Sequence, residues 1–206
     1  MVWLRGFVAV VGLIWGAGAA TAATLNVVGG QLVGAFDVEV AGTLYDVEFV
    51  EGTCIALFSG CDEISDTPFA SVASGSTLAA QALLDQVFVD GIAGTFDTDP
   101  ELTAGCEATN SCIVLIPHQP SGGTGYLAVE ARNVYPGGLG GDTTGSSSYI
   151  ITDDTTLDAY RVFALWTEVP EPRLTGLLAA GLAPLLARGN GRRLAQRRRP
   201  EGVRER

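Results

Sequence analysis

From Phe36 to Val50 the chain reads FDVEVAGTLYDVEFV, with apolar residues alternating with acids at the period of a half-buried strand. Gly42-Thr43 is the expected two-residue turn, with glycine in the first position. That turn sets Phe36 opposite Phe49, Val38 opposite Val47 and Val40 opposite Tyr45, so the apolar sides of the two strands coincide. The other side then carries Glu39 opposite Asp46 and Asp37 opposite Glu48, four like charges that call for an offset, with calcium as one candidate. Further strands are expected at 113–116, 126–134, 149–152 and 160–166. One helix interrupts them: in TLAAQALLDQVFVDG, Ala80, Leu83, Leu84, Val87 and Phe88 recur at helical spacing, with Ser76 as N-cap and Gly91 just past the end. The stretches GGTG and YPGGLGGDTTGSSS read as surface connections. The fold class is therefore mainly β or α+β, a small antiparallel sheet covered by one helix.

The two ends follow a different pattern. Arg5, an apolar run from Phe7 to Trp15 and the small residues Ala20-Thr21-Ala22 have the build of a secretory signal peptide over residues 1–22. Near the other end an uncharged apolar run, 174–187, reads as a membrane helix. It is short for the task, covering about 21 Å of a hydrocarbon core about 30 Å thick. Directly after it come Arg188, Arg192, Arg193, Arg197, Arg198 and Arg199, a cluster that stays cytoplasmic and stops translocation. Residues 23–168 are left as one exported β-rich domain, 169–199 as a sorting segment and 200–206 as a cytoplasmic tail.

Charge separates the regions further. Residues 24–169 hold twenty acids and two basic residues, Arg132 and Arg161, a balance of −18. So acidic a body repels phosphate backbones and anionic lipid, which argues against nucleic acid as a partner and leaves membrane contact to the C-terminal helix. No lysine occurs anywhere, which removes Schiff-base chemistry and phosphate-loop nucleotide hydrolysis.

Cys54, Cys61, Cys106 and Cys112 lie in the exported region, where disulfides are the default. Of the three possible pairings, the local ones, Cys54–Cys61 and Cys106–Cys112, are expected, because each closes a short loop containing turn formers (Ser59-Gly60 and Asn110-Ser111). The spacings do not suit zinc. The single histidine, His118, reads as a loop residue without a catalytic role, since no serine sits in a nucleophile-elbow pattern. Asp97, Asp99 and Glu101 alternate as calcium ligands do, but the places of the EF-hand glycine and distal glutamate hold Leu102 and Ala108. Asp99-Pro100 reads more simply as a turn. No catalytic set assembles and no cofactor is called for, although nothing selects among the twenty acids a pair for a secreted carboxylate-dependent hydrolase.

The order of Pro170-Glu171-Pro172, apolar run and arginine cluster resembles the C-terminal sorting signal of PEP-CTERM proteins of Gram-negative bacteria. The resemblance implies recognition of Pro170, Glu171 and Pro172 by the membrane protease-like enzyme exosortase. It implies a transient inner-membrane anchor, then delivery to the envelope surface or the extracellular matrix, often alongside exopolysaccharide. TLYDVEFVEGTCIALFSGCD together with ALLDQVFVD is also similar to a segment of uncharacterised exported proteins of that sorting class, and brings no activity with it. The functional expectation is a non-enzymatic exported protein, with a secreted hydrolase or a calcium-dependent adhesin as alternatives.

Overall fold

The computed structural model describes residues 22–67, 69, 73–138 and 140–170. The chain divides at Val169/Pro170 into two units, and beyond Pro170 the second lies outside the described residues. So do the expected signal peptide, membrane helix and arginine cluster. No helix among the described residues is long and apolar enough to cross a membrane.

In chain order the elements are β1 (Thr24–Val28), β2 (Gln31–Val40), β3 (Thr43–Val50), the short α1 (Cys54–Leu57), α2 (Ala73–Gln86), the two-residue strands β4 (Asp90–Gly91) and β5 (Gly94–Thr95), β6 (Ser111–Pro120), β7 (Gly125–Val134), β8 (Thr143–Ile150) and β9 (Arg161–Glu168). Seven strands form one sheet in the order β1-β2-β3-β9-β6-β7-β8, and β4 and β5 pair separately. The sheet is mixed rather than purely antiparallel, because β9 runs parallel to β6 over Ile113–Leu115 and Arg161–Phe163. Those three pairs join two antiparallel halves. Beyond them β6 has no strand partner on that side among the described residues, which is why Pro117 and Pro120, each lacking an N–H, fit in its second half.

The β2–β3 hairpin corrects the expected register. Its turn is Ala41-Gly42, both with positive φ (52° and 87°), so Val40 pairs with Thr43 and Val38 with Tyr45. Positive φ at both central residues gives a turn whose twist matches the strands it joins. A bulge then sets Phe36 and Asp37 against Asp46, and Asp37 takes φ 57° while its N–H donates to Asp46 Oδ1 at 3.2 Å. A second irregularity beside Asn26/Val27 lies on the other side of β2. Together they keep Leu32, Ala35 and Val38 all in the core, a spacing of three that a regular strand cannot bury on one face. Phe36 is turned outward and 44% exposed. At Gly34 the strands approach so closely that a Cβ would lie 2.1 Å from the Val47 carbonyl oxygen.

α2 crosses β7 and reaches β2, β6 and β8. Ala79, Ala80, Ala82 and Leu83 are buried against the sheet; the alanines bring the helix axis close, and Val87 and Phe88 continue the same core just past its end. Phe88 stacks on Phe49 at 5.8 Å. The helix begins at Ala73, earlier than the expected cap, so Ser76 lies within it and is fully buried. Tertiary packing outweighs the poor helix propensity of Ser74-Gly75-Ser76. The Thr143–Ser148 stretch, read from sequence as a connection, is most of β8: small polar residues give no alternation, and their pairing with β7 defines the strand. His118 is also not in a loop but lies buried in β6, where it is the extra residue of a bulge between Pro117 and Gln119.

Candidate functional site

The face of the sheet away from α2 carries the unusual chemistry. Side chains alternate along β7, so Tyr126, Ala128, Glu130 and Arg132 share this face. Part of it is covered by residues 51–66. Thr53 Oγ1 caps α1 by accepting from Ala56 N at 3.3 Å, and the loop is closed by a Cys54–Cys61 disulfide. Ile55 N donates to Ile151 O at 3.1 Å and Thr155 N to Gly52 O at 3.0 Å, tying the loop to the segment after β8. Beneath it Cys54, Phe58, Leu115, Tyr126, Ala128 and Phe163 form a second buried cluster. The other disulfide, Cys106–Cys112, joins the helix-side core, so the connectivity is the local one in both cases.

At the margin of the covered area Glu130 is 1% exposed yet ionisable. Burial alone would raise its carboxyl, but hydrogen bonds from Ser147, Tyr149 and Arg132, and the arginine charge, outweigh it and hold the group below the usual carboxylate range. Arg132 Nε donates to Oε2 at 2.5 Å, its terminal nitrogen pairs with the same oxygen, and the Tyr149 hydroxyl donates to Oε1. The Tyr149 phenol is pushed up to about 12, first by burial and then by this carboxylate. Tyr126 stacks on Tyr149 at 5.6 Å, and the Arg161 guanidinium lies 5.3 Å from the Tyr149 ring centroid while pairing with Asp158. Gly145 on β8 leaves room for this: a Cβ there would sit 3.1 Å from Glu130 Oε2 and 3.2 Å from Arg132 Nε. Both arginines of the body are thus committed to one cluster. A glutamate two residues before an arginine, in a strand otherwise apolar on that face, is the signal by which the pair is readable in sequence.

Next to the loop the face lies open. Asn26, Phe36, Asp46, Glu48, Leu165 and Thr167 line a concavity of about 310 Å³ with no basic side chain. It offers carboxylate and amide acceptors beside one aromatic ring, a set suited to a polyol or a cation and unsuited to phosphate. The four carboxylates expected to oppose one another do not: Glu39 pairs with Leu44, Gly34 with Glu48, and only Asp37 and Asp46 meet, within the bulge. Glu39 is held through its backbone instead, its N–H donating to Gln86 Oε1 at 3.0 Å and its carbonyl accepting from Gln86 Nε2 at 2.9 Å.

The calcium candidates are engaged separately. Asp99 Oδ2 accepts from the Thr95 hydroxyl at 2.6 Å, and Glu101 Oε2 is buried without a partner among the described residues. Asp97 is raised by burial, by a hydrogen bond with the Asp142 carboxyl and by the charges of Asp142 and Asp90. Asp90 moves the other way, lowered first by the Thr98 hydroxyl, and it also accepts from the N–H groups of Asp97 at 3.0 Å and Thr98 at 3.1 Å. Among the described residues no group of three His, Cys, Asp or Glu is placed to hold a metal ion. Burial in β6 lowers His118. Of the sorting motif only Pro170 is described; Glu171, Pro172 and the arginine cluster lie outside the described residues.

No protein-family model, curated protein or solved structure matches this chain.

Proposed function

We propose that this is a non-enzymatic exported protein, held briefly in the inner membrane, recognised by exosortase at Pro170-Glu171-Pro172 and delivered to the envelope surface or an exopolysaccharide matrix. The observation that carries the reading is the order of segments: signal peptide, disulfide-closed β domain, Pro-Glu-Pro, apolar run, arginines. The two disulfides point to an oxidising compartment outside the cytoplasm. The buried carboxylate Glu130 supports a structural role: its protonation is shifted away from neutrality, and its oxygens are taken by Tyr149 and Arg132. The test uses one epitope tag in the exposed loop at Gly137–Gly138 and another after Arg206. Processing separates the tags and releases the first from the inner membrane; a single inner-membrane species carrying both overturns the reading.

A second reading, a binding module, is favoured by the bulge that turns Phe36 into the open concavity. Under it, retention on the producing cell's own polysaccharide falls at least about tenfold in Phe36→Ala, about 1.4 kcal/mol, with the fold unchanged.

A further inference from the structure

A sheet edge is a row of unpaired backbone donors and acceptors, and proteins keep other strands off it with charges, proline, bulges or short edge strands. The two edges here differ in these devices. β1 has only five residues and a register irregularity at Asn26/Val27. β8 is eight residues long, and among the described residues no strand pairs with its outer side. It follows β7 without a register break from Thr143 to Ile150. Its sequence, TTGSSSYI, has no charge and no proline, in a body carrying twenty acids.

We propose that β8 is a self-association edge, pairing antiparallel with β8 of a second copy of this chain. The partner is argued from charge and length: a neutral strand of matching length is needed, and β8 supplies one to itself, whereas the other edge, β1, is also uncharged but has only five residues and a register irregularity. A two-fold axis perpendicular to the sheet presents the same patch on both copies and closes at a dimer. It also keeps like faces together, so directly opposed residues are of the same parity and the register centres on Ser146 or on Ser147. In either register Asp142 of one copy approaches the partner strand's far end, near Asp153. Two bodies of −18 charge therefore repel, and salt strengthens the association by screening that repulsion. An interface built on ion pairs weakens with salt instead. The proposal stands whether or not the chain is processed.

All four natural cysteines are in disulfides, so the added cysteines are the free thiols of each variant. A residue on the two-fold axis meets its own copy at a Cα separation of about 4.5–5.5 Å, within disulfide reach. The full-length chain in detergent is oxidised as Ser146→Cys, as Ser147→Cys and as Ser146→Cys/Ser148→Cys. The double variant tests the Ser147-centred register without disturbing the Ser147 contact to Glu130. Val28→Cys, on β1 and 62% exposed, reports random collision. At least one β8 variant is expected to give covalent dimer about tenfold or more above Val28→Cys, through the effective concentration of a preformed pair. The yield of the positive single variant is expected to rise with sodium chloride and to disappear when Ser148→Lys is added. If the double variant alone is positive, Thr144→Lys takes that place. Dimer no greater than that of Val28→Cys in all three variants overturns the proposal, as does a yield that falls with salt or survives the lysine.

Discussion

The two faces of the sheet are buried by different means. The helix-side face is covered by a fourteen-residue α-helix, and its core is almost wholly apolar. The opposite face is covered over part of its area by a disulfide-closed loop, and its margin holds a buried carboxylate, two arginines and two tyrosines. A helix covers a sheet by presenting many side chains at a regular period. A short loop lacks that reach, so the second face relies on a covalent closure and a satisfied polar network, and leaves a concavity where neither extends.

The largest effect that separates these accounts is expected on the helix side. Leu83→Ala removes a fully buried side chain and is expected to cost about 2–5 kcal/mol in denaturant unfolding. On the other face Glu130→Ala leaves Arg132 without its acid, and about 3 kcal/mol is expected, the low end for a broken buried pair because Arg132 is 41% exposed and keeps water. The sign of its pH dependence follows from the lowered carboxyl. Glu130 contributes stability above the ordinary carboxylate range, and that contribution is lost as pH falls through its depressed range, so the acid limb of the stability curve should flatten in Glu130→Gln. A cost for Glu130→Ala no larger than a surface change would reduce the network to ornament.

Next in size, Cys54→Ala/Cys61→Ala is expected to lose about 2 kcal/mol. Hydrogen exchange should rise first in residues 51–66 and leave α2 protected; loss of protection across both faces together would show that the loop is not a separate layer. Tyr149→Phe is expected to cost about 1 kcal/mol through its bond to Glu130. In the parent protein the phenol, raised to about 12, loses stability as pH rises from about 10 towards 12, and the variant should lack that loss. The smallest expected change is Phe36→Thr, within about 0.5 kcal/mol, since Phe36 faces solvent.

The helix-side face was the more readable in sequence. Ala80, Leu83, Val87 and Phe88 repeat at helical period and all are buried. The hairpin alternation located β2 and β3 but misplaced their turn by one position, because Ala41 in the left-handed region has no sequence warning. Phe36 fits the alternation and yet points outward, since a bulge at Phe36-Asp37 breaks the two-residue period there. β8 was unreadable for a different reason: TTGSSS has the composition of a linker, and only its pairing with β7 makes it a strand. The Glu130 cluster drew residues from β7, β8 and β9, which periodicity along one strand does not connect.

The placement of β9 has a consequence for how the domain is made. It is the last strand in the chain and occupies the middle of the sheet, between β3 and β6. Val50 meets Phe163 across more than a hundred intervening residues, so closure depends on contacts of high sequence separation, which form slowly. As the chain is synthesised from its N-terminus, β3 and β6 each present an open strand edge until residues 161–168 have been added. A chain cut short before Trp166 is therefore left as two half-sheets with unpaired edges, which invite pairing with strands of other molecules.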